Sequence, residues 1–351
     1  MSEFNGQYGG FNGQYDPNGN YQNGYYENYG YMRRLEKKKN EKKKIRKLGL
    51  LTGGAILTNL LLQNVFIIAL NVLGCYERYL DNPVFQIGAD IIFSVSCMLV
   101  PFLLFGNAMK KEAGIEDFIR LNPSHDFILS LLAIPAGLCF CMAANIVTSY
   151  VVIFLEGFGI TLSSPEIANP EGAFGFFLSV MRVSVVAALV EELAFRGCLM
   201  QPLRKFGDGF AVAMAACAFG LMHGNLIQAP FALISGLGLG YITVKCGSVW
   251  PAVAVHAINN FISTVASYAL DSQMDEKAVN LLYTLFVYGV VAVGGFCAFL
   301  FYMRAKRYNT NIAQDSVLQT KEKVSAYILN PTMLIAIAIM LYYTSQYIAA
   351  S

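Results

Sequence analysis

The chain has little charge. Only 14% of its 351 residues are Asp, Glu, Lys or Arg, against about 25% in a soluble domain. Histidine is scarce at three copies, and tryptophan occurs once. No H-E-x-x-H, no G-x-S-x-G and no C-x-x-C occurs. The charge deficit excludes an ordinary cytosolic enzyme, a disordered scaffold and a nucleic-acid binder. The eight cysteines give no disulfide framework. Seven fall in or beside apolar runs as small packing residues, and Cys75 stands alone in a candidate loop.

What is abundant is apolar sequence: 56% hydrophobic residues and a mean hydropathy of +0.48. These values point to a polytopic membrane protein, an all-α bundle of 8–9 transmembrane helices. Residues 1–31 are a Tyr/Gly/Asn-rich segment with a repeated Phe-Asn-Gly-Gln-Tyr (from Phe4 and again from Phe11) and too few aliphatic residues to bury a core. They read as a disordered tail and not as a signal peptide. Residues 32–48 hold ten bases and two acids and read as a basic juxtamembrane stem on anionic lipid, with no nucleic-acid partner. N-terminal transmembrane helices are expected over 49–155, a core over 170–270 and C-terminal helices over 279–351.

A spanning helix needs about 20 mostly apolar residues. Spans are expected at 49–73, 84–108, 127–155, 174–204, 209–227, 230–246, 249–269, 279–303 and 333–349, the last being short. With the N-terminus inside, 22 of the 25 Lys and Arg fall on cytoplasmic segments. Arg78 and Lys277 fall outside and Arg182 lies mid-span, so the positive-inside bias sets the orientation.

Ionisable groups inside a bilayer are costly and mark functional sites by default. Asp90, Arg182, Glu191, Glu192, Arg196, His223 and His256 fall within spans. At about 1.5 Å per residue, Glu191 lies about 20 Å from the basic end, His223 about 21 Å and His256 about 14 Å. The three therefore share a layer, provided the helix carrying Glu191 does not break at Arg196. Glu192 and Arg196 are i and i+4, as are Glu191 and Phe195, Phe219 and His223, and His256 and Asn260. A carboxylate in a low-dielectric site is a general base able to activate water.

In order and spacing, Glu191-Glu192-Leu193-Ala194-Phe195-Arg196-Gly197, Phe219-Gly220-Leu221-Met222-His223 and His256-Ala257-Ile258-Asn259-Asn260 resemble the CPBP family. These are intramembrane glutamic endopeptidases, the CAAX-protease and bacteriocin-processing group. The resemblance covers about residues 170–270. It implies a helix bundle around a catalytic cavity in the membrane and a peptide or membrane-protein substrate. It also implies a water-activating Glu191 assisted by His223, an oxyanion held by His256 and Asn260, and supporting roles for Glu192 and Arg196. Phe195 and Phe219 complete the motifs, and no cofactor or metal is implied. The tail composition looks bacterial, which suggests a plasma membrane and argues against a prenylated substrate. Three other readings stay open: a zinc hydrolase using one Glu and two His, a non-catalytic immunity or scaffold protein of the same fold, and a transporter. Gly236-Leu237-Gly238-Leu239-Gly240 lacks a phosphate-loop context and reads as close helix packing.

Overall fold

The computed structural model describes residues 21–164, 169–271, 275–308 and 316–350. Among them the chain is almost wholly helical. The helices are α1 (Tyr21–Val72), α2 (Tyr76–Asp81), α3 (Pro83–Ala113), α4 (Phe127–Glu156), α5 (Gly172–Phe206) and α6 (Asp208–Met222). They continue with α7 (Ala229–Cys246), α8 (Trp250–Asp271), α9 (Glu276–Ala305), α10 (Thr320–Ile328) and α11 (Pro331–Ser345). Seven are long and apolar enough to cross a membrane, and α10 with α11, bent by 76°, would make an eighth. Large apolar side chains such as Leu61, Leu104, Leu131, Ile153 and Leu281 stay exposed around the bundle. Water does not tolerate such a surface and lipid does. The protein is a multi-pass membrane bundle.

Two expectations change. The span expected at 209–227 is the 15-residue α6, too short to cross alone. It stops at His223, where Gly224 takes a φ of 63° and turns the chain back. The expected tail is helical from Tyr21, so α1 takes in residues 21–31; residues 1–20 lie outside the described residues. Helix propagation costs far less than nucleation, so the lysine-rich stem extends its helix backwards. The stem also has a protein-facing side: Glu41, Ile45 and Leu48 are buried, and Lys38 pairs with Glu322 while Lys47 pairs with Glu112.

Loop contacts sort the helix ends into two groups. At one end, β1 (Ile160–Leu162) pairs antiparallel with β2 (Ile348–Ala350). At the other, Lys205 Nζ donates to Ala113 O at 2.6 Å, Lys323 Nζ to Phe206 O at 2.6 Å and Trp250 Nε1 to Leu121 O at 2.7 Å. The ends that share a side are those that alternate crossings require. At the basic end, Asp126 caps α4 through the Leu129 N–H and takes Arg304 of α9 at 2.5 Å and the Tyr308 hydroxyl at 2.7 Å. The bonds from Arg304, aided by Tyr308 and Leu129, hold its carboxyl well below the usual carboxylate range.

Glycines let α7 come close to its neighbours. A Cβ on Gly236 would lie 3.2 Å from Ala216, one on Gly240 3.0 Å from Val212, and one on Gly238 2.5 Å from the Phe140 ring. The glycine run is thus helix packing, as the sequence suggests. We expect Gly240→Leu to cost about 1–3 kcal/mol by overpacking, read as a lower melting temperature in detergent. Gly88→Leu, which meets open space, should melt with the parent. A depressed folded-state carboxyl stabilises above its unfolded value and loses that stabilisation as pH falls through the folded value. Asp126→Asn should therefore lower the melting temperature at pH 7, and the deficit should shrink as pH drops below about 4.

Candidate active site

Helix α5 runs unbroken through Arg196 for 35 residues, which meets the condition on depth. Two π-helical stretches, Val180–Val186 and Leu193–Leu199, flank the α-helical turn that carries Glu191 and Glu192. A π-turn rotates the residues beyond it about the helix axis, and such turns gather at functional sites. Phe195 lies in the second one. Phe195 is fully buried between Phe102 and Phe219, with ring centroids at 5.2 and 5.0 Å, and does not line the cavity beside Glu191.

Glu191, His223, His256 and Asn260 line one cavity of about 970 Å³. Glu192 lies behind its wall with no exposure. Its Oε1 is 2.9 Å from Arg196 Nη1 and 2.9 Å from His256 Nδ1. A carboxylate only accepts, so Nδ1 carries the proton and Nε2 is left to the cavity, 3.7 Å from Glu191 Oε2. His256 therefore stands between the two glutamates. Arg196 is held by charge and by Phe219, whose ring lies 4.4 Å from the guanidinium carbon, and neither Nη has an aligned hydrogen bond.

Phe219 also anchors His223. Its carbonyl accepts from His223 Nδ1 at 2.8 Å, and its ring meets the imidazole edge-on at 4.8 Å. A carbonyl can only accept, so His223 Nε2 is unprotonated in the neutral ring. Asn260 donates through Nδ2 to Val183 O at 2.9 Å, a carbonyl of the first π-turn. One of its two amide hydrogens is thereby committed to structure.

Of the remaining intramembrane charges, Arg182 and Asp90 pair at 2.8 Å and Tyr79 donates to Asp90 at 2.9 Å, outside the cavity. No sequence pattern signals the Glu192–His256 bond, which joins residues 64 positions apart. A signal does exist for the α4 wall, where Asn145, Thr148 and Ser149 form a polar face in an apolar run and line the cavity. Among the described residues, no three His, Cys, Asp or Glu side chains are grouped to hold a metal ion.

Glu192→Gln should strand Arg196 in low dielectric and weaken the hold on His256. Breaking a buried pair costs about 3–5 kcal/mol. The expected result is a marked fall in melting temperature in a fixed detergent; an unchanged value would remove Glu192 from the centre of the site.

No curated protein and no solved structure matches the chain. Residues 173–262 match the family described as type II CAAX prenyl endopeptidase Rce1-like. That stretch runs from the start of α5 to α8 and contains Glu191, His223, His256 and Asn260 and both buried partners, Glu192 and Arg196. Over these residues the chain is similar to that family, which is consistent with the CPBP/CAAX-protease family its three motifs resemble.

Proposed function

We propose that the protein is an intramembrane, metal-independent glutamic endopeptidase acting on a peptide or membrane-protein substrate. The reading rests on one observation above all: Glu191 Oε2 and His256 Nε2 face each other at 3.7 Å on the wall of a cavity that His223 and Asn260 also line. In the proposed reaction Glu191 takes a proton from water, with His223 Nε2 orienting that water. The hydroxide adds to the scissile carbonyl, and the oxyanion is held by His256 Nε2–H and the uncommitted amide hydrogen of Asn260. Glu191 then passes its proton to the leaving amine. Donation from Nε2 requires an imidazolium, because Nδ1 already donates to Glu192. Glu191, Glu192, Arg196 and a charged His256 sum to zero, the arrangement that costs least in lipid.

The proposed orientation places the basic end and the N-terminus in the cytoplasm, with the exposed lysines of the stem near anionic lipid. The tail composition suggests a bacterial plasma membrane.

Glu191→Gln should abolish cleavage of a fluorogenic peptide library by the purified protein while its melting temperature stays near the parent's. Asn260→Ala should lower turnover by about 10²–10³ with little change in KM. Excess chelator should leave the wild-type rate unchanged. Loss with chelator and recovery with zinc would establish the zinc reading instead. Normal cleavage by Glu191→Gln would remove Glu191 as the base.

A further inference from the structure

The oxyanion role of Asn260 depends on where its amide points. The terminal torsion of an asparagine is broad and two-fold, so bonds must fix it. Nδ2 donates to Val183 O at 2.9 Å, while Oδ1 has a longer contact, 3.4 Å, from Asn259 Nδ2. The Val183 carbonyl is therefore the main anchor. Val183 belongs to the π-turn Val180–Val186 and lines the cavity.

That carbonyl is free for Asn260 because the turn is a π-turn. In a regular α-helix Val183 O would accept from Ala187 N–H, four residues on. Here Ala187 N–H donates to Arg182 O, five residues back. One N–H thus has two competing acceptors, and its choice decides whether Asn260 has a partner. In α3 the same question is settled by sequence. Cys97 O, bonded to Asn59, would otherwise take the N–H of residue 101, and Pro101 has none. No proline lies between Pro170 and Pro202, so the turn in α5 needs another hold.

The hold is at Arg182. The residue whose carbonyl closes the i→i+5 bond also has its side chain tied to α3, with Nη2 2.8 Å from Asp90 Oδ2. The other carboxylate oxygen accepts from the Tyr79 hydroxyl of α2 at 2.9 Å. Both oxygens of Asp90 are thus engaged. The two charged side chains are only 20% and 14% exposed, and removing one partner of a buried pair is costly. We infer that Asp90 and Arg182, backed by Tyr79, are positioning residues for the oxyanion donor. They keep Val180–Val186 in the register that presents Val183 O to Asn260, and so aim the second amide hydrogen of Asn260 into the cavity. None of the three lines the cavity. This role rests on the peptidase reading above.

The test measures cleavage of a fluorogenic peptide library by the full-length protein in lipid nanodiscs. Asp90→Asn and Arg182→Gln should each lower kcat about tenfold or more with KM within about twofold, because the oxyanion forms only in the transition state. Arg182→Lys, which keeps the charge, should recover most of the rate lost in Arg182→Gln. In an Asn260→Ala background Asp90→Asn should change kcat by less than about twofold, since the donor it aims is gone. Tyr79→Phe removes one hydroxyl and decides the matter if the other variants do not fold: kcat falls about three- to fivefold in the parent and stays unchanged in Asn260→Ala.

A second measurement does not need turnover. On Glu191→Gln, fluorescence anisotropy compares a labelled pool of peptidyl phosphinates, whose tetrahedral anionic phosphorus mimics the intermediate, with the matching amides. Adding Asp90→Asn should cost the phosphinates about tenfold in affinity and the amides less than about twofold. That result supports the inference even if the wild type cleaves nothing, in which case only the peptidase reading falls. An unchanged kcat in Asp90→Asn and Arg182→Gln overturns the inference. So does a loss of rate that adds to that of Asn260→Ala, and so does phosphinate binding that is absent or indifferent to Asp90→Asn.

Discussion

One carboxylate with no exposure, that of Glu192, ties together the residues on which the cavity depends. It is the counter-charge of Arg196 and the acceptor that sets the His256 ring, both at 2.9 Å. Arg196 in turn lies against the face of Phe219, and Phe219 supplies the carbonyl that sets the His223 ring. Three helices, α5, α6 and α8, are thus tied through a single buried anion. A lone charge at that depth would be costly. Once paired it gives a direction to each imidazole, because a hydrogen bond at Nδ1 dictates what Nε2 can do.

The π-turns show how backbone and side chains share this work. A turn with i→i+5 bonds disturbs the regular carbonyl ladder, and buried carbonyls must find partners elsewhere. Val183 O finds Asn260 on α8, and Cys97 O, in the π-turn of α3, finds Asn59 on α1 at 2.8 Å. In both cases a neighbouring helix supplies an asparagine amide, so the same bond that satisfies the backbone also fixes a helix-to-helix register. At the site this has a chemical consequence, since the Asn260 bond leaves one amide hydrogen free of structure. Arg182, in the same π-turn, is held by Asp90 and Tyr79 through a separate pair. That intramembrane cation therefore serves the scaffold around the site and does not line the cavity.

Short α6 illustrates how a membrane bundle places polar chemistry at depth. Fifteen residues cannot cross the bilayer, so the helix ends inside it, and its last turn presents His223 beside the return into α7. Irregular backbone at membrane depth is tolerated where protein or a polar cavity surrounds it. Here the Asn225 side chain accepts from Gln228 N–H and donates to His223 O, which closes the return loop with its own atoms.

Much of this was legible in the sequence. Apolar runs longer than a soluble helix requires gave the membrane bundle, because a lipid-exposed backbone leaves few alternatives to helix. The i, i+4 spacing gave the Glu192–Arg196 contact and the His223–Phe219 pair, since neighbours on one helix face depend only on helical rise and twist. The depth arithmetic brought Glu191, His223 and His256 to one layer for the same reason. The places where it went astray are those where a neighbouring element intervenes. Phe195 packs between Phe102 and Phe219 and does not line the cavity; it sits in a π-turn that begins at Leu193, and periodicity assumes a regular helix. Residues 209–227 stopped short of a full span because Gly224 turns the chain, and hydropathy averages across such a turn. Only tertiary structure decided that Glu192 and His256 are bonded and that Asn260 spends one hydrogen on Val183. Each of these depends on the rotation and offset of one helix against another, which packing sets and a linear pattern does not encode.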